Sequence, residues 1–90
     1  MRARRFILAG RVQGVGFRLF SVQVAQAHGV RGWVRNLPDG RVEVLCEGDL
    51  DSVERFRAEL RRGPRHAVVE EMRETEESPS GLFEGFDVRY

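Results

Sequence analysis

The chain has 90 residues, 41% of them hydrophobic and 32% charged, with a formal net charge of +1. That size allows one domain with one modest core, and the balance of apolar and charged residues excludes a disordered chain. No apolar run approaches the roughly 20 residues of a membrane span, residues 6–9 are too short a run for a signal peptide, and the single cysteine, Cys46, excludes an internal disulfide and a cysteine-based zinc cage. The expectation is one cytoplasmic domain over residues 1–90, monomeric and without a membrane partner.

The charge is unevenly placed. Residues 1–41 carry eight Arg and one acid, Asp39, whereas residues 42–90 carry seven Arg and thirteen acids. The halves are therefore +7 and −6, and lysine is absent. Genomic codon bias accounts for such a pattern, because surface charge is loosely constrained. An anion site in the first half accounts for it too, since the planar fork of arginine grips two phosphate oxygens at once.

Residues 5–12 read as a strand with Phe6, Leu8 and Val12 inward. Gln13-Gly14-Val15-Gly16 is a glycine-bearing turn. Phe17, Phe20, Val24 and Ala27 then follow helical steps to His28, and Gly29 stands where a helix ends. Residues 30–35 form a second strand, Asn36-Leu37-Pro38-Asp39-Gly40 a turn, and residues 41–47 a third strand that completes a hairpin. In that third strand Val42, Val44 and Cys46 share one face. A second helix follows Gly48, capped by Asp51 or Ser52, with Leu50, Val53, Phe56 and Leu60 as its apolar stripe and Gly63-Pro64 as its stop. Residues 67–72 form a fourth strand of ambiguous register, residues 74–81 a polar loop, and Phe86, Val88 and Tyr90 a short last strand. The order β-α-β-β-α-β plus a short extra strand predicts an α+β ferredoxin-like sandwich: a mainly antiparallel sheet with both helices on one face. That fold alone implies no function.

The segment that carries chemistry runs from Gly10 to Arg18, from a strand end into a helix start. Helix starts leave backbone N–H groups unpaired at a positive dipole end, and glycines let them converge on an anion. Arg18, in the first turn, can close such a nest. The segment is no Walker A loop, lacking Gly-Lys-Ser/Thr, and no dinucleotide fingerprint, having Leu19 where a third glycine belongs. Residues 14–20 loosely resemble an RNA-recognition motif, but Phe17 and Phe20 fall at helical spacing and read as core. On spacing alone, a plain strand-to-helix turn explains the segment equally well.

Gly10-Arg11-Val12-Gln13-Gly14-Val15-Gly16-Phe17-Arg18, then Gly32-Trp33-Val34-Arg35-Asn36 and Asp39-Gly40, closely resemble the acylphosphatase family. Gly63-Pro64 and the closing Phe86-Asp87-Val88-Arg89-Tyr90 extend the resemblance over nearly the whole chain; residues 75–85 match no motif. The resemblance implies metal-independent hydrolysis of acyl phosphates, with no cofactor. It implies catalytic roles for Arg18 and Asn36. It also implies a phosphate-binding loop of Gln13, Gly14, Val15, Gly16, Phe17 and Arg18, and Ser21 falls where relatives often have threonine.

The chemistry fits so few groups. An acyl phosphate leaves behind a carboxylate of pKa about 4, which needs no general acid. Phosphoryl transfer is largely positioning and charge stabilisation, and no Ser-His-Asp, Cys-His or paired-carboxylate arrangement stands out. Asparagine is no base at neutral pH, so Asn36 would orient water, the proton passing to a substrate phosphate oxygen. Asn36 by itself also reads as an ordinary turn initiator, His28 as a helix C-terminal cap, His66 as a surface residue, Trp33 as core, and Cys46 as a small apolar residue.

Two rival readings remain open. One is a nucleic-acid-binding domain using Arg2, Arg4, Arg5, Arg11, Arg31, Arg35 and Arg41; the acidic second half and a pI near 8.0 argue against it. The other is a regulatory module binding carbamoyl phosphate or another small anion, as related domains do within larger hydrogenase-maturation proteins. The end of the chain at Tyr90 favours a free-standing enzyme acting on a small molecule, with no nucleic-acid partner.

Overall fold

Alternating and helically spaced apolar residues sort the chain into five strands and two helices. In a computed structural model describing residues 1–90, these are β1 (Arg2–Arg11), α1 (Phe17–His28), β2 (Arg31–Asn36), β3 (Val42–Gly48), α2 (Leu50–Arg62), β4 (Val68–Glu77) and β5 (Phe86–Arg89). The strands form one sheet in the order β4-β1-β3-β2-β5. Three neighbouring pairs are antiparallel and β2–β5 is parallel. The fold is the expected ferredoxin-like α+β sandwich, with the last strand making the sheet mixed. No helix is long and apolar enough to cross a membrane.

Period-two alternation sends Phe6 and Leu8 of β1, Val34 of β2 and Val42, Val44 and Cys46 of β3 to the face beneath the helices, where all six are fully buried. Val24 and Ala25 of α1 and Val53, Phe56 and Leu60 of α2 close the core from above. The Phe56 ring meets Phe86 edge-on at 5.5 Å, tying α2 to the short β5. Burial pushes the Cys46 thiol up to about 12, so it is an inert core group. Ala27 and Leu50, expected in the helix stripes, are exposed.

Three local expectations need correction. The N-cap of α2 is Asp49, whose Oδ1 accepts from Ser52 N–H at 2.8 Å; Asp51 and Ser52 lie within the helix. The first strand begins at Arg2, before residue 5. The fourth strand runs to Glu77, through half of the segment expected to be a loop. Its Glu-rich sequence has little intrinsic strand preference. It is held by its ladder with the basic strand β1, from Ala3 opposite Glu77 to Arg11 opposite Val68, with Arg4 reaching Glu76 at 2.8 Å, Arg2 reaching Glu76 at 3.3 Å and Arg5 reaching Glu77 at 3.3 Å. Glu70 is the extra residue where the β1–β4 register shifts between Ala9 and Gly10, which settles the ambiguity at Val68-Val69.

The opposite sheet face carries no helix and is organised by ions. Glu43 is almost wholly buried between Arg5 and Arg35, the latter at 2.6 Å. Trp33, expected in the core, is buried on this outer face instead, with the guanidinium carbons of Arg5, Arg35 and Arg89 at 5.8, 5.4 and 4.9 Å from its ring centroid. Burial pushes the Glu43 carboxyl up, but hydrogen bonds and charges from Arg35 and Arg5 outweigh it and hold the carboxyl below its ordinary value.

A lowered folded pKa gives stability that is complete above the unfolded value, about 4.3 for Glu, and lost as pH falls through the folded value. The stability difference between wild type and Glu43→Gln, read from urea unfolding, should therefore be large at about pH 7 and shrink towards about pH 3; a difference independent of pH would refute the ion-pair account. A second test concerns Gly32, at φ 139°, where an added Cβ would stand 1.9 Å from the Leu45 carbonyl oxygen. Gly32→Ala should cost about 3 kcal/mol or more in the same assay. Gly85→Ala, with open space around it, should stay within about 0.5 kcal/mol of wild type.

Candidate active site

The two helix starts are built differently. The α2 start is satisfied internally, by the Asp49 cap and by Asp51 in its first turn. The α1 start has neither: Gly16 occupies the cap position with no side-chain hydrogen bond, and no acid lies in the first turn. Gly14 and Gly16 both adopt left-handed backbone, at φ 74° and 78°, which curls the chain over the helix start. No backbone carbonyl or side chain takes the N–H groups of residues 14–19. These donors stand at the positive end of the helix dipole, an arrangement suited to an anion.

Five of these six residues line a cleft of about 330 Å³. Six of the seven residues expected at the site line it: Gln13, Gly14, Gly16, Phe17, Arg18 and Asn36. Val15 does not; its side chain packs against the core. The Phe17 side chain is also buried, edge-on to Phe20 at 5.8 Å, so the main chain of Phe17 is what the cleft presents. Arg18 has no carboxylate within 4.0 Å, unlike Arg2, Arg4, Arg5, Arg35 and Arg41, each of which is ion-paired. Its guanidinium lies 5.4 Å from the Tyr90 ring centroid.

Asn36 arrives from the other end of the sequence pattern, at the last position of β2. Gln13 brings it to the loop. The Gln13 amide donates to the carbonyls of Leu37, at 2.8 Å, and Arg41, at 2.9 Å, on the β2–β3 turn. The turn itself is closed by Leu37 N–H to the Arg41 carbonyl at 2.8 Å. The side chain of Gln13 therefore joins the loop to the strand end, and any anion contact of Gln13 is left to its backbone.

Ser21 is fully buried and donates its hydroxyl to the Phe17 carbonyl at 2.8 Å, inside the helix. His28 lies at the far end of α1 and meets Glu59 of α2 at 2.5 Å. Val12, Leu19, Val88 and Tyr90 also line the cleft and were missed in the sequence. The signal for Tyr90 lay in the strand order. Once β5 runs parallel to β2 with Arg35 opposite Arg89, the next residues along are Asn36 and Tyr90. No group of three or more His, Cys, Asp or Glu side chains is placed to hold a metal ion.

Comparison with known proteins bears on the chain as a whole. The acylphosphatase family model matches residues 4–88. The acylphosphatase of Trichormus variabilis is 50% identical over 82 residues, covering 91% of this chain and 80% of that protein. The acylphosphatase of Pasteurella multocida is 44% identical over 90 residues, the full length of both. The crystal structure of acylphosphatase from Bacillus subtilis superposes with a TM-score of 0.96 at 37% identity, again over all of both chains. An open helix start beside an unpaired arginine, in a fold and sequence this similar, leaves one conclusion: the chain belongs to the acylphosphatase family.

Proposed function

We propose that this acylphosphatase hydrolyses acyl phosphates by in-line attack of water on a phosphorus held at the α1 start. The observation that carries the reading is the set of unaccepted N–H groups of residues 14–19 beside Arg18, in one cleft with Asn36. The backbone donors and the Arg18 fork take the phosphate oxygens and stabilise the charge that spreads over them in the transition state. Asn36 orients the water. The water oxygen forms the new P–O bond while the bond to the bridging acyl oxygen breaks, its electron pair leaving on the carboxylate. The water proton passes to a phosphate oxygen, and the products are carboxylate and inorganic phosphate. Every group in this scheme comes from one chain, which supports action as a monomer.

The folded arrangement also weakens the nucleic-acid reading. Five of the seven arginines proposed for that face, Arg2, Arg4, Arg5, Arg35 and Arg41, are neutralised by carboxylates. A salt-sensitive basic surface needs free cations.

The test is release of inorganic phosphate from benzoyl phosphate without added metal, with inorganic phosphate as competitive inhibitor. Arg18→Ala and Asn36→Ala should each lower turnover at least about a hundredfold while remaining folded. Phosphate inhibition should weaken far more in Arg18→Ala than in Asn36→Ala, because the former removes the charged contact. Near wild-type turnover in Asn36→Ala would remove the water-orienting role; phosphate binding without turnover in wild type would return the chain to the small-anion module.

A further inference from the structure

We infer that Leu19 and the ring of Tyr90 form an acyl-binding rim on this cleft, and that acyl phosphates with an apolar, aromatic acyl group are its preferred substrates. The inference rests on the phosphate reading above and adds what the rest of the substrate meets.

Leu19 is out of place by packing alone. The core side of α1 is Phe17, Ser21, Val24 and Ala25, all buried. The solvent stripe runs through positions 19, 23 and 26, and its other members are Gln23 and Gln26, both exposed. At 63% exposure Leu19 makes the stripe apolar only at its first position, where it lines the cleft. Tyr90 lines the same cleft and is fully exposed, at 101%. Single exposed apolar residues are ordinary and need no explanation. Here two of the chain's six exposed large hydrophobic residues stand at one mouth, flanking the one cleft cation that has no carboxylate partner.

The chemistry of the substrate sets where its acyl group lies. The phosphate is drawn to the backbone donors and Arg18. The acyl carbon follows after a single bridging oxygen, so it lies within the same cleft. The Tyr90 ring is already held 5.4 Å from the Arg18 guanidinium. No spare cation or hydrogen-bond donor on Leu19 or Val88 would reward a polar acyl chain; a flat apolar one buries surface against Leu19 and stacks on Tyr90. An open rim discriminates less than an enclosed pocket, where a methylene is worth about tenfold or more.

The experiment compares kcat/KM for benzoyl phosphate and acetyl phosphate. Wild type should prefer benzoyl phosphate by about tenfold. Leu19→Ser and Tyr90→Ser should each lower that ratio about fivefold, and Leu19→Met should keep it within about twofold. No wild-type preference, or a loss shared equally by both substrates in both serine variants, overturns the inference, the latter assigning the residues to Arg18 or to structure. Both side chains are exposed, so the serine variants should unfold at the wild-type midpoint. Failure of the underlying phosphate reading has a separate signature: Arg18→Ala would then retain turnover of acetyl phosphate, whatever the ratio does.

Discussion

The side-chain amide of Gln13 holds the site together. Its two hydrogen bonds reach the carbonyls of Leu37 and Arg41, 24 and 28 residues further along the chain. Helix α1 also packs directly against β2 and β5; the Gln13 bonds add a fixed link between the loop and the turn that follows Asn36. With it, a loop suited to an anion and a strand end carrying an uncharged amide face one cleft. Phosphoryl transfer asks the protein mainly for placement, and placement is what this contact gives. Glutamine suits the task because it supplies two donors from one planar group, whereas a carboxylate would have placed a negative charge beside the phosphate.

The same demand explains how charge is arranged in the rest of the molecule. The sequence divides into a basic and an acidic half, yet the fold lays β1 between β3 and β4, so that the basic strand meets glutamates on both sides. Surface ion pairs of this kind each contribute little, but Glu43 between two arginines is shielded from water and more tightly coupled. Arg18 stays outside that network. Arg11, Arg31 and Arg89 also lack a carboxylate partner; what sets Arg18 apart is its place in the cleft at the α1 start, where the first turn carries no acid.

The elements with strong periodicity were legible. Both helices and the β2–β3 hairpin follow from spacing and turn residues. The open loop was legible as an anion site, though not as a catalytic one, and Asn36 gained its role through family resemblance. The length of β4 was hidden because its stability comes from cross-strand partners, not from residues 73–77 themselves. The Asp49 cap was hidden because Asp49, Asp51 and Ser52 are all capable caps, and only geometry chooses among them. Gln13 was placed in the right loop, but its side-chain partners lie across a turn that one-dimensional spacing does not connect. Tyr90 and Leu19 were missed for a related reason: only the strand order sets Tyr90 beside Asn36, and only the folded helix start shows that Leu19 is exposed at the cleft.

The central claim is that residues 14–19 and Arg18 form the phosphate site, with Asn36 beside it. Titration of isotopically labelled protein with inorganic phosphate, followed by amide nuclear magnetic resonance, tests it most directly. The account predicts saturable shifts concentrated at the backbone N–H groups of residues 14–19, at the Arg18 guanidinium and at the side-chain amide of Asn36. Saturable shifts centred instead on the outer face around Trp33, Arg35 and Arg89, or none at all, would contradict it.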